Sequence, residues 1–214
     1  MSIEQEKRAA AEAAALLVED GMTVGLGTGT TASYLLPALA RRRLSLRCVA
    51  TSDRTASAAA KLGLPIEPFS ALDALDIAID GADQISPDGW LIKGGGGAHT
   101  REKIVARAAA RFVVIADSTK LTAALHPPVP LELLRFGQPA TLRLLGHATV
   151  RAAPLSPDGG VLADYHAPFD DPASLAARLS EIPGVVGHGL FSPRIVSTIF
   201  IGRGKEVEQR TLRG

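Results

Sequence analysis

The chain has 214 residues, 46% of them hydrophobic and 21% charged, with a formal net charge of +1. That balance suits a soluble globular protein with a sizeable core. It argues against a nucleic-acid footprint carried by the whole domain, which is usually far more basic. The single cysteine, Cys48, excludes an intrachain disulfide and a cysteine-based metal cluster. It lies in the apolar run 46–50, which reads as buried packing. No stretch reaches the roughly 18 uninterrupted apolar residues of a membrane span. The charged residues Glu4, Glu6, Lys7, Arg8 and Glu12 argue against a signal core. The expectation is a soluble protein of the cytoplasm, without membrane or nucleic-acid partners.

Residues 3–19 are rich in Ala and Glu at helical spacing and predict a helix stopped by Gly21. Residues 23–27 predict a short buried strand and 31–43 a helix, in which Pro37 would cost about 3 kcal/mol or force a kink. The basic run Arg41, Arg42, Arg43 reads as a solvated helix C-terminus. A strand over 46–51, a helix over 53–62 ended by Gly63, a strand over 76–82, a helix over 100–110 and a strand over 112–116 follow. Continuous apolar strands separated by helices imply a parallel sheet covered on both faces. Pro127, Pro128 and Pro130 mark a break. The stretches 140–151, 160–164, 172–181 and 189–201 then change rhythm and suggest a small α+β domain. Trp90 reads as a loop or core anchor.

Polar motifs fall just after the predicted parallel strands, where ligands of open α/β sheets bind. Gly27-Thr28-Gly29-Thr30-Thr31 follows the first, Thr51-Ser52-Asp53-Arg54-Thr55 the second, and Asp80-Gly81-Ala82-Asp83 closes the third. In the threonine loop, glycines admit close approach of an anion and a helix N-terminus follows. The dinucleotide fingerprint fails there, because threonine stands at position 30, and no Walker lysine follows. A plain strand–helix turn with a threonine cap is the competing reading. Asp80 and Asp83 could divide acid and base roles, or serve as a helix cap or Asx turn. Lys93-Gly94-Gly95-Gly96-Gly97 is the sharpest feature, since four consecutive glycines are entropically costly unless a ligand must touch backbone. The alternative is a flexible linker. Glu102 falls in the first turn of the next helix, as a dipole-stabilised anion that suits proton abstraction beside a carbonyl or as a capping group. Lys120 is a phosphate contact or a plain surface lysine. The five histidines show no metal-ligand spacing.

Together these motifs resemble the type A ribose-5-phosphate isomerase family. The resemblance runs from 25–32 through 51–53, 80–83 and 93–103, and continues in Val129-Pro130-Leu131-Glu132 and Ile182-Pro183-Gly184-Val185-Val186. It implies an α/β fold with a Rossmann-like parallel-sheet domain (1–127 plus 203–214) and a smaller inserted α+β, ferredoxin-like domain (128–202). It implies interconversion of D-ribose 5-phosphate and D-ribulose 5-phosphate through an enediolate, in the non-oxidative pentose phosphate pathway. Glu102 would be the base, with Asp80, Asp83 and Lys93 completing the catalytic set. Thr28, Gly29, Thr30, Thr31, Gly81, Ala82, Gly94, Gly95, Gly96 and Lys120 would bind substrate. No metal or organic cofactor is implied, and the assembly would be a homodimer or homotetramer. Gln84 departs from the glutamate usual after Asp-Gly-Ala-Asp, and His99 stands where an apolar residue is common. A non-catalytic sugar-phosphate sensor on the same scaffold is the alternative reading. CoA transferases, amino-sugar phosphate deaminases and nucleotide-binding dehydrogenases are more distant ones.

Overall fold

The computed structural model describes residues 2–204 and 206–212. In chain order its elements are α1 (Ile3–Ala15), β1 (Thr23–Leu26), α2 (Ala32–Arg42), β2 (Arg47–Ala50), α3 (Asp53–Lys61), β3 (Leu75–Gly81), β4 (Gln84–Ile85), β5 (Leu91–Ile92), α4 (His99–Ala108), β6 (Ala109–Asp117), β7 (Val129–Leu133), α5 (Gln138–Leu145), β8 (Ala148–Val150), β9 (Val161–Tyr165), α6 (Pro172–Glu181), β10 (Val185–His188), β11 (Leu190–Phe191), β12 (Thr198–Arg203) and β13 (Glu206–Thr211). They form two compact units. The first comprises Met1–Ala82, Arg101–Lys120 and Pro193–Gly214, and the second Asp83–Thr100 and Leu121–Ser192. The domain spans expected from the sequence include residues 1, 205, 213 and 214, which lie outside the described residues.

The first unit is built on a six-stranded sheet in the order β13-β12-β6-β3-β1-β2, parallel except for the β12–β13 hairpin. Successive residues in its strands are buried: Ile77, Ala78 and Ile79 in β3, and Val113, Val114 and Ile115 in β6. A strand apolar at every position needs cover on both faces, which is why these runs settle into a parallel sheet. Each buried valine or isoleucine contributes roughly 1.5–3 kcal/mol by leaving water. The chain leaves β1 toward β2 on one side, while β3 lies on the other. A switch point therefore opens at the carboxyl ends of β1 and β3.

Helix α1 buries Ala10, Ala11, Ala14 and Ala15 and packs on β6, β12 and α2. The arginine run at the end of α2 is less solvated than expected. Arg41 pairs with Glu12 at 2.9 Å, and the Arg42 guanidinium donates to the Ala15 and Val18 carbonyls at the C-terminal end of α1. The Ala15 carbonyl also accepts from the Val18 amide at 3.3 Å, so Arg42 adds a second donor to the turn that ends α1. Helix α2 runs through Pro37, against the cost expected of it, because Leu35, Leu36, Ala38 and Leu39 are buried around it. Cys48 is buried, and burial pushes its thiol up to about 11.

Glu6 ties three segments of this unit together. Its carboxylate accepts from the Ser118 amide at 2.9 Å, the Ser118 hydroxyl at 2.7 Å and the Gly204 amide at 2.9 Å. The Ser118 hydroxyl and then those amides hold its pKa below the ordinary glutamate value. Bonds to a charged acceptor contribute more than neutral ones, so Glu6→Gln should lose about 1–3 kcal/mol at neutral pH. A carboxylate with a depressed folded pKa stabilises above its unfolded pKa, and that contribution disappears as pH falls through the folded value. Urea denaturation should therefore show a gap between parent and Glu6→Gln that closes on acidification. A gap independent of pH would contradict this account.

In the second unit an antiparallel sheet runs β10-β7-β9-β8, beside a three-stranded sheet β11-β5-β4. Leu131, Leu133, Ala163, Leu175, Leu179 and Leu190 form its core, and Trp90 packs against that core. The expected α+β rhythm is present, but two strands lie in unexpected places: β12, in the stretch read as part of the small domain, joins the six-stranded sheet, and β7 lies where a break was read. The proline-rich segment read as a break contains β7, an interior strand. Pro130 lies within it opposite Asp164, and its carbonyl accepts from the Gly189 amide at 2.7 Å.

Candidate active site

The first unit supplies the threonine loop, Asp80, Glu102 and Lys120. Asp80, at the end of β3, is 3% exposed, and its Oδ1 accepts from the Thr28 amide at 3.0 Å and from the Gly81 amide at 2.7 Å. The carboxylate reaches this position because residue 27 has no side chain. A Cβ there would stand 2.0 Å from Asp80 Oδ1 and 2.1 Å from Cγ. One oxygen of Asp80 thus organises the turn, as the Asx-turn reading expected.

Thr28 does not point its hydroxyl outward as a donor for an anion. Its Oγ1 lies 2.8 Å from Thr51 Oγ1, 2.8 Å from Ser52 Oγ and 3.2 Å from Thr55 Oγ1. Thr55 in turn donates to the Gly27 carbonyl at 3.1 Å, and Ser52 caps α3 by accepting from the Thr55 amide at 3.2 Å. Four hydroxyls from two loops thus lock the loop leaving β1 to the one leaving β2. This gives the Thr51–Thr55 motif a structural task. Thr30 is exposed and Thr31 buried at the start of α2. A cavity of about 320 Å³ opens against this loop, lined by Gly27, Gly29, Thr30, Ser33, Arg54 and Thr55 among others. Arg54 belongs to the polar motif after the second strand, whereas Ser33 had no role in the sequence reading.

At the carboxyl end of β6, Asp117 is fully buried and accepts from the Thr119 amide at 3.0 Å. Lys120 follows in a 3-10 turn, partly exposed. Lys7 of α1 is a further cation in this unit that carries no motif. Its hydrogen bond to Glu4 at 2.8 Å, and next the charges of Glu4 and Asp117, hold its amine above the usual lysine value. Glu102 is 5% exposed in the first turn of α4. Helix N-terminal amides favour the anion there.

The second unit supplies Asp83, Lys93 and the glycine run. Lys93 is 3% exposed, with Nζ 5.5 Å from the centroid of the Phe191 ring and its amide donating to the Gly189 carbonyl at 2.9 Å. Asp83 accepts from the Gly95 amide at 2.8 Å. Gly94 and Gly97 are required locally. Gly94 has φ +112, and a Cβ on it would stand 2.7 Å from both His99 Nδ1 and Pro130 Cβ. The run is therefore a shaped turn with Gly95 and Gly96 at its exposed tip. Gln84 has a structural role: its amide donates to the His126 carbonyl at 2.9 Å and accepts from the His126 amide at 2.9 Å. A glutamate at this position could accept but could not donate. Among the described residues, no group of three or more His, Cys, Asp or Glu could hold a metal ion, and no helix is long and apolar enough to cross a membrane.

The model of ribose 5-phosphate isomerase A (phosphoriboisomerase A) matches residues 47–206. The model of the DeoR C terminal sensor domain matches residues 3–63. Ribose-5-phosphate isomerase A of Caulobacter vibrioides (strain NA1000 / CB15N) is 45% identical over 207 residues, covering 89% of this chain and 91% of that protein. The structure of ribose 5-phosphate isomerase A from Methanocaldococcus jannaschii superposes with a TM-score of 0.92 at 33% identity, covering 98% of this chain and all of the other. A D-ribose-5-phosphate isomerase solved in complex with phospho-erythronic acid gives the same TM-score and identity, covering 99% of this chain. With three-quarters of its length inside the family model and near full-length likeness to several members, the chain belongs to the ribose 5-phosphate isomerase A family.

Proposed function

We propose that this chain interconverts D-ribose 5-phosphate and D-ribulose 5-phosphate through an enediolate, with Glu102 carrying the proton between C2 and C1. The observation that supports this most directly is a buried carboxylate in the first turn of the helix that follows the glycine run. Asp80, with Lys93, handles the ring-oxygen and hydroxyl protons that open the sugar, and Asp83 shapes the glycine turn. Lys93 and the amides of residues 94 and 96 are offered to the enediolate oxyanion, where each donor typically contributes about 3–4 kcal/mol to the transition state, while the Gly95 amide is held by Asp83. Gly29, Thr30, Thr31, Gly81, Ala82 and Lys120 bind the sugar phosphate, while Thr28 holds Asp80 and the hydroxyl cluster in place. A relative solved with phospho-erythronic acid supports a phosphorylated acid-like ligand. The net reaction moves hydrogen within one molecule, so no electron acceptor, cofactor or metal is proposed.

The reaction is assigned to the non-oxidative pentose phosphate pathway of the cytoplasm. A homodimer or homotetramer fits the apolar side chains exposed on the second unit, Leu134, Leu144, Leu155 and above all Phe136 at 92%. The sensor alternative draws on the match to residues 3–63, which contains the threonine loop but ends before Asp80, Lys93 and Glu102. Purified protein given ribose 5-phosphate in the presence of EDTA should form ketose. Binding without turnover would favour the sensor, and loss of turnover with EDTA would overturn metal independence.

A further inference from the structure

Two residues far from every motif act on the glycine turn. Arg151 follows β8, and its guanidinium makes three hydrogen bonds within the second unit. Nε donates to Asp164 Oδ2 at 2.8 Å, Nη2 to Asp164 Oδ1 at 2.6 Å, and Nη1 to the Gly94 carbonyl at 2.8 Å. Both side chains are largely buried, at 15% and 19% exposure. Asp164 sits in β9, paired with Thr149 of β8 and Pro130 of β7, so the pair is mounted on a continuous antiparallel sheet.

The consequence lies in one peptide plane. Its oxygen, on Gly94, is held by the Arg151 cation, while its N–H, on Gly95, is held by the Asp83 carboxylate at 2.8 Å. A peptide is planar, so fixing both ends fixes its rotation about the chain. The same Gly94 oxygen also accepts from the Gly97 amide at 3.1 Å and closes the turn. Four glycines in succession have little intrinsic preference among backbone states and would otherwise exchange between several. Charge-assisted bonds at both ends of the plane oppose that exchange. Among the described residues, no hydrogen bond engages the exposed Gly96 amide. With its neighbours fixed, that N–H keeps one direction.

We propose that Arg151, oriented by Asp164, is a positioning residue that presets the glycine turn for the enediolate oxygen. The proposal rests on the isomerase reading above and deepens it. Electrostatic stabilisation works when donors are aimed before charge develops, because no reorganisation then accompanies the reaction. The pair touches no reacting atom and acts only through the Gly94–Gly95 peptide.

The effect should appear in kcat and not in KM, since the oxyanion exists only after proton abstraction. Arg151→Met keeps the aliphatic stem and removes the fork, and should lower kcat about a hundredfold, the scale of an ångström-sized misplacement. KM should stay within about threefold. Arg151→Lys keeps the charge but cannot make three planar bonds, so its kcat should fall between parent and Arg151→Met. Amide exchange of Gly97 should be about tenfold faster in Arg151→Met, because its acceptor is no longer held. A kcat within about twofold of the parent would overturn the proposal, as would a rise confined to KM. If Arg151→Met does not fold, Arg151→Lys and Asp164→Asn are read by the same criteria. The exchange measurement needs no turnover. Unchanged Gly97 protection therefore sinks this inference with the isomerase reading intact, and an inactive parent protein sinks the isomerase reading with the exchange result still in hand.

Discussion

Glu102→Gln should lower ketose formation from ribose 5-phosphate by roughly 10²–10⁴-fold, the usual contribution of a positioned general base. Glutamine has nearly the same volume and can occupy the same buried space in the first turn of α4, but it has no basic oxygen. KM should change little, because the carboxylate acts on a carbon-bound hydrogen and the phosphate is bound elsewhere in this scheme. Thermal stability should shift only modestly. An amide forfeits the helix-dipole interaction of about 0.3–1 kcal/mol, and it also removes the desolvation cost of a buried charge. Steady-state kinetics and solvent-hydrogen incorporation at the migrating position, measured on one preparation, give the check. Activity within about tenfold of the parent would reject Glu102 as the base. Loss of activity together with loss of cooperative unfolding would instead mark it as a structural carboxylate.

Much of the first unit can be read from the sequence because its signals are local. Residues 77–79 are continuously apolar before Asp80, and the turns after β1, β2 and β3, the first two of which start helices, carry Gly, Thr, Ser and Asp at positions that turns favour. The position of those turns at strand ends follows from the parallel sheet alone. What could not be read locally falls into two kinds. Strands β4 and β5 have two residues each and are too short for any periodicity to register. Strand β7 contains Pro130, which normally argues against an interior strand, and only its pairing with β9 and β10 establishes it.

The second kind is long-range polar pairing. Asp76, exposed in β3, accepts from the Thr23 amide and hydroxyl at 2.7 Å each, across 53 residues. Arg151, which belongs to no motif, reaches Gly94 in the glycine run across 57 residues. Thr28 was legible as part of an anion loop, while its hydroxyl is committed to Thr51, Ser52 and Thr55. Residue type announces that a hydroxyl will bond to something, but only the approach of two loops decides what. Candidate sites are therefore visible in sequence as clusters of unusual residues, and the division between binding groups and scaffold groups within them is not.

Gly27→Ala carries the second large expected effect, and it tests how Asp80 is seated. The backbone at residue 27 lies outside the left-handed region, so alanine is acceptable there on conformational grounds. Any penalty must come from contact. The added methyl would fall 2.0 Å from Asp80 Oδ1 and 2.5 Å from Asp80 Cβ. The carboxylate cannot simply swing away, because the Thr28 and Gly81 amides hold the same oxygen. Displacing it breaks both bonds and moves a group assigned to sugar ring opening. Overpacking of this kind should cost about 1–3 kcal/mol of stability, and an ångström of misplacement about a hundredfold in kcat. A double-mutant cycle with Asp80→Gly separates this cause from a general loop defect, since Asp80→Gly removes every atom the methyl would strike. In that background Gly27→Ala should cost less than about 0.5 kcal/mol by urea denaturation, the range expected when two sites no longer interact. Equal destabilisation in both backgrounds would mean that the contact with Asp80 is not what keeps residue 27 a glycine. The coupling, if found, makes the acidic group and the empty space beside it a single element of the site.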